Sequence, residues 1–155
     1  MTITKATWPL TTTFHLRNKI DTNPDYQRPS VWSVSQKQLL MDTILRGYDI
    51  PKLYLRKTSS NPDKYEVVDG QQRLRSIWSF MSNEFVLPKD ADPIQGMEVA
   101  GKKYSELDMD VSMLLDMYTL DCAIITDSTE EEVREMFLRL QNGTSLKAQE
   151  KRHAM

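Results

Sequence analysis

The chain has 155 residues, 39% hydrophobic and 27% charged, which predicts one globular domain and excludes collagen-like, low-complexity and wholly disordered proteins. Twenty basic and twenty-two acidic residues give a net charge of −2, so no general electrostatic affinity for DNA is expected. The single Cys122 excludes an internal disulfide, and the chain has neither a leader pattern nor an apolar run of about 18 residues. We therefore expect a cytoplasmic protein without a membrane segment.

The first elements alternate between strand and helix patterns. Residues 11–16 are rich in β-branched and aromatic side chains, which predicts a short strand. Ser33 and Gln36 have the spacing of a capping box and begin a predicted helix. Gly47 is placed to end that helix.

The next segments predict a hairpin followed by an amphipathic helix. In residues 52–57, Leu53 and Leu55 alternate with Tyr54 and Arg56, as in a half-buried strand. Residues 65–68 are a second strand pattern that follows a turn, so we expect the two to pair. From residue 71 the period changes to that of a helix with one apolar stripe. The stripe consists of Leu74, Ile77, Trp78 and Met81.

The second half begins with a segment rich in proline and glycine. It predicts a loop that leads into a small hairpin at residues 97–104. A short helix within residues 107–120 and a buried strand at residues 122–125 should follow.

The last part of the chain is predicted to be helical. Thr129 and Glu132 form a second capping box, and Gly143 is placed to end the helix that follows. Nothing terminates the helical pattern that starts at Leu146, so we expect the natural protein to continue beyond this chain.

The strongest chemical pattern is Val-Val-Asp-Gly-Gln-Gln-Arg at residues 67–73, where a strand passes into a helix. A helix N-terminus has unpaired N–H groups and a partial positive charge, and a glycine there lets the backbone approach a phosphate closely. Arg73 can clamp phosphate oxygens, and Asp69 can hold Mg²⁺ or orient a water. Gln71 or Gln72 can position that water or a phosphate.

An ordinary structural role would explain the same residues. Asp69 would then cap the helix, Gly70 would make the turn, and Arg73 would pair with a neighbouring acid. The segment is not a Walker A loop, and the chain has no Gly-x-Gly-x-x-Gly motif. A nucleotide would therefore be held differently from the way those motifs hold it.

A second cluster, Tyr26, Gln27 and Arg28, precedes Trp32 just before the first predicted helix. Arg28 would face the same phosphates while an aromatic ring stacks on a base. The alternative is a packed turn in which Trp32 is a hydrophobic staple.

A third cluster places Arg139 and Asn142 beside Gly143. Glycine and a last-turn arginine are ordinary at helix ends, so this cluster carries less weight. His15 and His153 stand alone, without the spacing of a zinc site or a catalytic triad.

These motifs occur in the order and spacing of one known family, the amino-terminal domain of GmrSD-type restriction enzymes, which the chain resembles from about residue 14 to its end. The most specific of them is Asp69-Gly70-Gln71-Gln72-Arg73. The others are Tyr26-Gln27-Arg28 with Trp32, Ile44-Leu45-Arg46-Gly47 with Ile50-Pro51, and Arg139-Leu140-Gln141-Asn142-Gly143.

The resemblance implies a ParB/sulfiredoxin-like α/β fold, a small mixed sheet flanked by helices, that binds and hydrolyses a nucleoside triphosphate of unspecified base with Mg²⁺. It implies a nucleotide site made of Asp69, Gly70, Gln71, Gln72 and Arg73, with further contacts from Tyr26, Gln27, Arg28, Arg139 and Asn142. In similar domains of GmrSD and SspE proteins, which restrict modified phage DNA, the nucleotide domain is a switch. A separate nuclease domain or partner subunit cuts the DNA.

The predicted function is therefore an NTP-binding and NTP-hydrolysing regulatory domain of a modification-dependent restriction system. One alternative is a module that binds a nucleotide or a DNA phosphate without turnover. A Mg²⁺-dependent DNA nuclease ranks lowest, because such enzymes gather several carboxylates and only Asp69 lies in a candidate site. Cys122 lies in an apolar strand pattern, which argues against sulfiredoxin-like thiol chemistry.

Overall fold

The computed structural model describes residues 1–23 and 31–153, with side chains described as far as residue 142. One mixed sheet contains β1 (Thr2–Pro9), β2 (Ile20–Asp21), β3 (Leu53–Ser59), β4 (Lys64–Asp69) and β5 (Thr119–Thr126). The α-helices are α1 (Leu10–His15), α2 (Val34–Leu45), α3 (Gln71–Met81), α4 (Met109–Asp116) and α5 (Glu130–His153). The predicted α/β class, a small mixed sheet flanked by helices, is confirmed. Among the described residues, no helix has the length and apolar character needed to cross a membrane.

The strand order of the sheet is β1-β5-β3-β4-β2. Strands β3 and β4 pair antiparallel, so the predicted hairpin is confirmed, and Asp69 at the end of β4 lies opposite Tyr54. Strand β5 runs antiparallel to β1 and parallel to β3, while β2 runs parallel to β4. The hairpin therefore lies inside the sheet, with a neighbour on each side.

The two faces of the sheet carry different layers. Helices α1 to α4 cover one face and build the main core, which includes the fully buried Phe80 of α3. Successive strand residues point to opposite faces, so Val67 belongs to that core whereas Val68 faces the other side. There Val68 packs with Ile125 and with Val133 of α5. Strand β4 thus contacts both layers immediately before Asp69.

Helix starts follow the predicted capping boxes. The backbone N–H of Gln36 donates to Ser33 Oγ at 3.2 Å and that of Ser33 to Gln36 Oε1 at 2.8 Å. At α5 the N–H of Thr129 donates to Glu132 Oε1 at 3.0 Å, and that of Glu132 donates to Thr129 Oγ1 at 3.2 Å. Both boxes are confirmed.

The strand predicted at residues 11–16 is wrong. Residues 11–15 belong to helix α1, and Leu16 is its C-cap residue. The helix buries Leu10 and Thr13, and the Thr13 hydroxyl donates to the Leu10 carbonyl at 2.8 Å. Burial of one helical face outweighs the strand propensity of the threonines. The strand on this side of the sheet is β1, which precedes the segment and was not predicted.

Two further expectations are also wrong. Residues 97–104 form no hairpin: an isolated bridge joins Ile94 to Met97, and a short 3-10 helix follows at Tyr104–Glu106. Gly143 does not end its helix, because α5 continues to His153. One glycine costs a helix only about 1 kcal/mol, and strong helix formers lie close to it on each side, Leu140 and Gln141 before it and Leu146, Lys147 and Ala148 after it.

Gly70 joins β4 to α3 and tolerates no side chain. Its φ of +106° is left-handed, and it is the N-cap residue of α3. A Cβ at this position would lie 2.3 Å from Leu53 Cδ2 and 2.9 Å from Arg73 Nη2. Because Leu53 is buried, it cannot move aside without disturbing the core.

We predict that Gly70→Ala lowers the free energy of unfolding by about 2–4 kcal/mol, from backbone strain plus overpacking. Gly47→Ala is the matched control, since Gly47 also has a positive φ (+80°) but a Cβ added there would meet no atom within 4 Å. That control should cost only about 1 kcal/mol. Denaturant unfolding measures both, and equal losses would contradict the steric explanation.

Cys122 lies on β5 with a relative exposure of 2%. Burial raises the pKa of its thiol to about 11, with a smaller contribution from Asp121. The thiolate is therefore scarce near neutral pH.

We predict that Cys122 does not react with a thiol-specific aromatic disulfide reagent in the folded protein at about pH 8. The same reagent should titrate one thiol per chain in denaturant. Rapid reaction of the folded protein, measured by absorbance, would contradict the described burial.

Candidate functional site

A cavity of about 150 Å³ lies where β4 ends and α3 begins. Its lining comprises Trp32, Asp69, Gly70, Gln71, Gln72 and Arg73. The strand, turn and helix therefore bring all five residues of the Asp-Gly-Gln-Gln-Arg motif to one place. We call residues 69–73 the signature loop.

Asp69 does not cap the helix. It is the last residue of β4, Gly70 occupies the N-cap position, and no side chain makes a capping hydrogen bond there. The first-turn N–H groups of an α-helix have no intrahelical partner. The N-terminus of α3, whose first residues line the cavity, therefore carries a partial positive charge beside the Asp69 carboxylate.

Arg73 is held at one end of its guanidinium. Its Nη2 donates to the Lys52 carbonyl at 3.0 Å, while its Nε is buried and has no hydrogen-bond partner in the described part of the chain. Burial lowers the pKa of Arg73, and the Asp69 carboxylate opposes that shift. Arginine stays charged in proteins, so this cation would gain from an anionic ligand. The Lys52 carbonyl was not foreseen, because any residue type supplies such an acceptor.

The two glutamines of the signature loop differ in their surroundings. Gln72 has a relative exposure of 8%, and its Oε1 accepts a hydrogen bond from the backbone N–H of Trp32 at 3.2 Å. Gln71 is half-buried and lines the cavity. Sequence reasoning treated the two amides as equivalent, and the fold separates them.

The second predicted cluster is described only in part. Tyr26, Gln27 and Arg28 lie outside the described residues, so their predicted contacts stay predictions. Trp32, four positions after Arg28, does line the cavity and also packs against the main core.

The third cluster does not line the cavity. The Arg139 side chain is 80% exposed, and its Nε pairs with Glu135 Oε1 at 3.0 Å. It borders a different groove, together with Met1 and Leu140. Asn142 is exposed on the same helix.

Among the described side chains, those of residues 1–23 and 31–142, no group of three or more His, Cys, Asp or Glu is placed to hold a metal ion. Asp69 is the one carboxylate among the residues that line the cavity. Mg²⁺ is commonly held by one or two carboxylates together with substrate phosphates. Asp69 therefore fits an ion that arrives with a polyphosphate.

The fold is similar to that of a solved structure, the C-terminally truncated chromosome-partitioning protein ParB from Caulobacter crescentus complexed with CTP-gamma-S. The sequence identity is 12% and the TM-score is 0.48. The match covers 89% of this chain and 52% of that one, so this chain spans about half of its length. No curated protein matches the sequence.

The family comparison covers nearly the whole chain. The sequence profile of the GmrSD restriction endonuclease N-terminal domain matches residues 12–155. This range contains the signature loop and the whole of the main sheet except β1. The chain therefore belongs to the family of GmrSD restriction endonuclease N-terminal domains.

Proposed function

We propose that this domain binds a nucleoside triphosphate with Mg²⁺ at the signature loop and hydrolyses it. The observation that carries the proposal is the position of the Arg73 guanidinium beside the uncapped N-terminus of α3. This guanidinium is partly desolvated, and only its Nη2 has a described hydrogen bond, to the Lys52 carbonyl. A phosphate supplies the negative charge and the acceptor oxygens that both groups lack.

The size of the cavity supports phosphate groups rather than a whole nucleotide as its contents. Its volume of about 150 Å³ is below the roughly 300 Å³ at which ligand pockets begin. The ribose and base would then extend past Trp32. We expect Tyr26, Gln27 and Arg28, which precede Trp32 in the chain, to contribute there.

The residues of the loop can divide the work of hydrolysis. Bound Mg²⁺ would neutralise charge on the phosphates. Asp69 would hold that ion or orient the attacking water, and Gln71 would position the water or a phosphate oxygen. Attack of water on the terminal phosphorus breaks the phosphoanhydride bond and yields the diphosphate and inorganic phosphate, while Arg73 stabilises the charge.

The family suggests what the reaction regulates. We expect this domain to act with a nuclease domain or partner subunit that cuts modified DNA, in the cytoplasm. Arg139 and Asn142, which do not line the cavity, are the weakest of the proposed contacts.

A second candidate is a module that binds a nucleotide or a DNA phosphate without turnover. The observation that favours it is the donor set of the cavity, in which cationic and N–H donors accompany a single carboxylate. The two functions differ in phosphate release, since only the first liberates inorganic phosphate. Plasmid nicking with Mg²⁺, abolished by Asp69→Ala, would instead indicate the nuclease.

We predict that Arg73→Ala weakens nucleoside triphosphate binding by about 10- to 100-fold, the worth of a hydrogen bond to a charged group. Calorimetric titration of ATP, GTP, CTP and UTP with Mg²⁺ measures the loss. Arg134→Ala removes the same charge from an exposed ion pair on α5 and should bind as the wild type does. Absence of binding by the folded wild-type protein would contradict the proposal.

We predict that Asp69→Asn retains nucleotide binding but releases phosphate at least about 100-fold more slowly, because the amide keeps the shape and loses the charge that holds Mg²⁺ or orients water. A coupled phosphate assay at saturating nucleotide measures the rate. Undiminished release by the variant would remove Asp69 from the chemistry.

A further inference from the structure

The segment that enters α2 is fixed by two glutamine side chains. The backbone N–H of Trp32 donates to Oε1 of Gln72, 40 positions further along the chain, at 3.2 Å. The next N–H, that of Ser33, donates to Oε1 of Gln36 at 2.8 Å. The second bond is local to the start of α2, whereas the first ties the segment before α2 to the signature loop.

Burial makes the bond between Gln72 and Trp32 specific. Gln72 has a relative exposure of 8%, and its backbone carbonyl accepts a hydrogen bond from Ser76 Oγ at 2.7 Å inside α3. An amide side chain has one carbonyl oxygen. In Gln72 that oxygen accepts a hydrogen bond from the backbone N–H of Trp32. Without the Gln72 oxygen, this N–H would lose its hydrogen-bond partner.

The neighbouring amide is placed differently. Gln71 lines the same cavity, and its side chain makes no hydrogen bond within the described part of the chain. Its carbonyl and NH₂ groups remain available to a phosphate or a water. The motif thus contains one amide that faces the ligand space and one that joins two elements.

We propose that Gln72 is a positioning residue that holds Trp32 as the aromatic wall of the nucleotide cavity, and that it sets nucleotide affinity rather than the rate of hydrolysis. This inference rests on the proposed function. Trp32 lines the cavity beside the signature loop, and its half-buried side chain packs against the main core. A planar ring held at this position can pack against a base or ribose that extends from bound phosphates. Loss of the Gln72 oxygen releases the backbone that carries this ring.

The first test needs no nucleotide. The full chain labelled with fluorotryptophan should give three fluorine resonances, from Trp8, Trp32 and Trp78, and Trp32→Phe identifies the relevant one. Gln72→Met should shift the Trp32 resonance and leave the other two in place. Gln72→Glu keeps an acceptor oxygen and should retain the wild-type Trp32 resonance. An unchanged Trp32 resonance in Gln72→Met would overturn the inference.

The second test uses nucleotide. Gln72→Met should weaken binding about tenfold while phosphate release at saturation stays within about threefold of the wild type. Trp32→Leu keeps the backbone N–H and removes the ring, and should weaken binding to a similar extent. Because both act through the same wall, the double variant should be no weaker than either single one. A slower rate at unchanged affinity, or fully additive losses, would overturn the inference.

Controls separate this role from general stability. Ser76→Ala removes the buried hydrogen bond from Ser76 Oγ to the Gln72 backbone carbonyl but leaves the Gln72 side-chain amide intact. This variant should leave both the Trp32 resonance and the nucleotide affinity unchanged. If Gln72→Met does not fold, Gln72→Asn replaces it, because its shorter side chain withdraws the oxygen from Trp32. A wild-type protein that binds no nucleotide would overturn the proposed function, while the nucleotide-free resonances still decide the role of Gln72.

Discussion

Strand β4 passes into helix α3 through one left-handed residue, Gly70, whose Cα lies against the buried Leu53 side chain. The strand direction, the helix direction and the depth of the turn are all set by this contact. Asp69 therefore ends on one side of the turn and Arg73 starts on the other, with the helix N-terminus between them. The positions of Asp69, Arg73 and the helix N-terminus therefore depend on the absence of a Cβ at this residue.

Much of this arrangement could be predicted because its causes are local. The capping boxes at Ser33 and Thr129 rest on residues three positions apart, and the apolar stripe of α3 lies within one helix. Asp69 to Arg73 are contiguous, so a strand followed by a helix suffices to bring them together. The family motifs indicated the same segment, and the family profile matches residues 12–155, a range that includes it.

The parts that failed depend on distant contacts. The threonines of residues 11–16 have strand propensity, yet Leu10 and Thr13 are buried by tertiary packing, and a helix results. The Arg73 bond to the Lys52 carbonyl and the Gln72 bond to the Trp32 N–H join residues that are 21 and 40 positions apart. A backbone acceptor or donor has no side-chain signature, so neither partner could be read from the sequence.

The small cluster of Val68, Ile125 and Val133 has a mechanical consequence for α5. It lies at the foot of that helix and one residue before Asp69. A helix of 24 residues is about 36 Å long. From Val133 to His153 the helix spans about 30 Å, so a tilt of about 10° around that contact would move the far end by about 5 Å. A change in the packing of Val68 against Val133 would therefore be amplified along α5 and would produce its largest displacement at the far end of that helix.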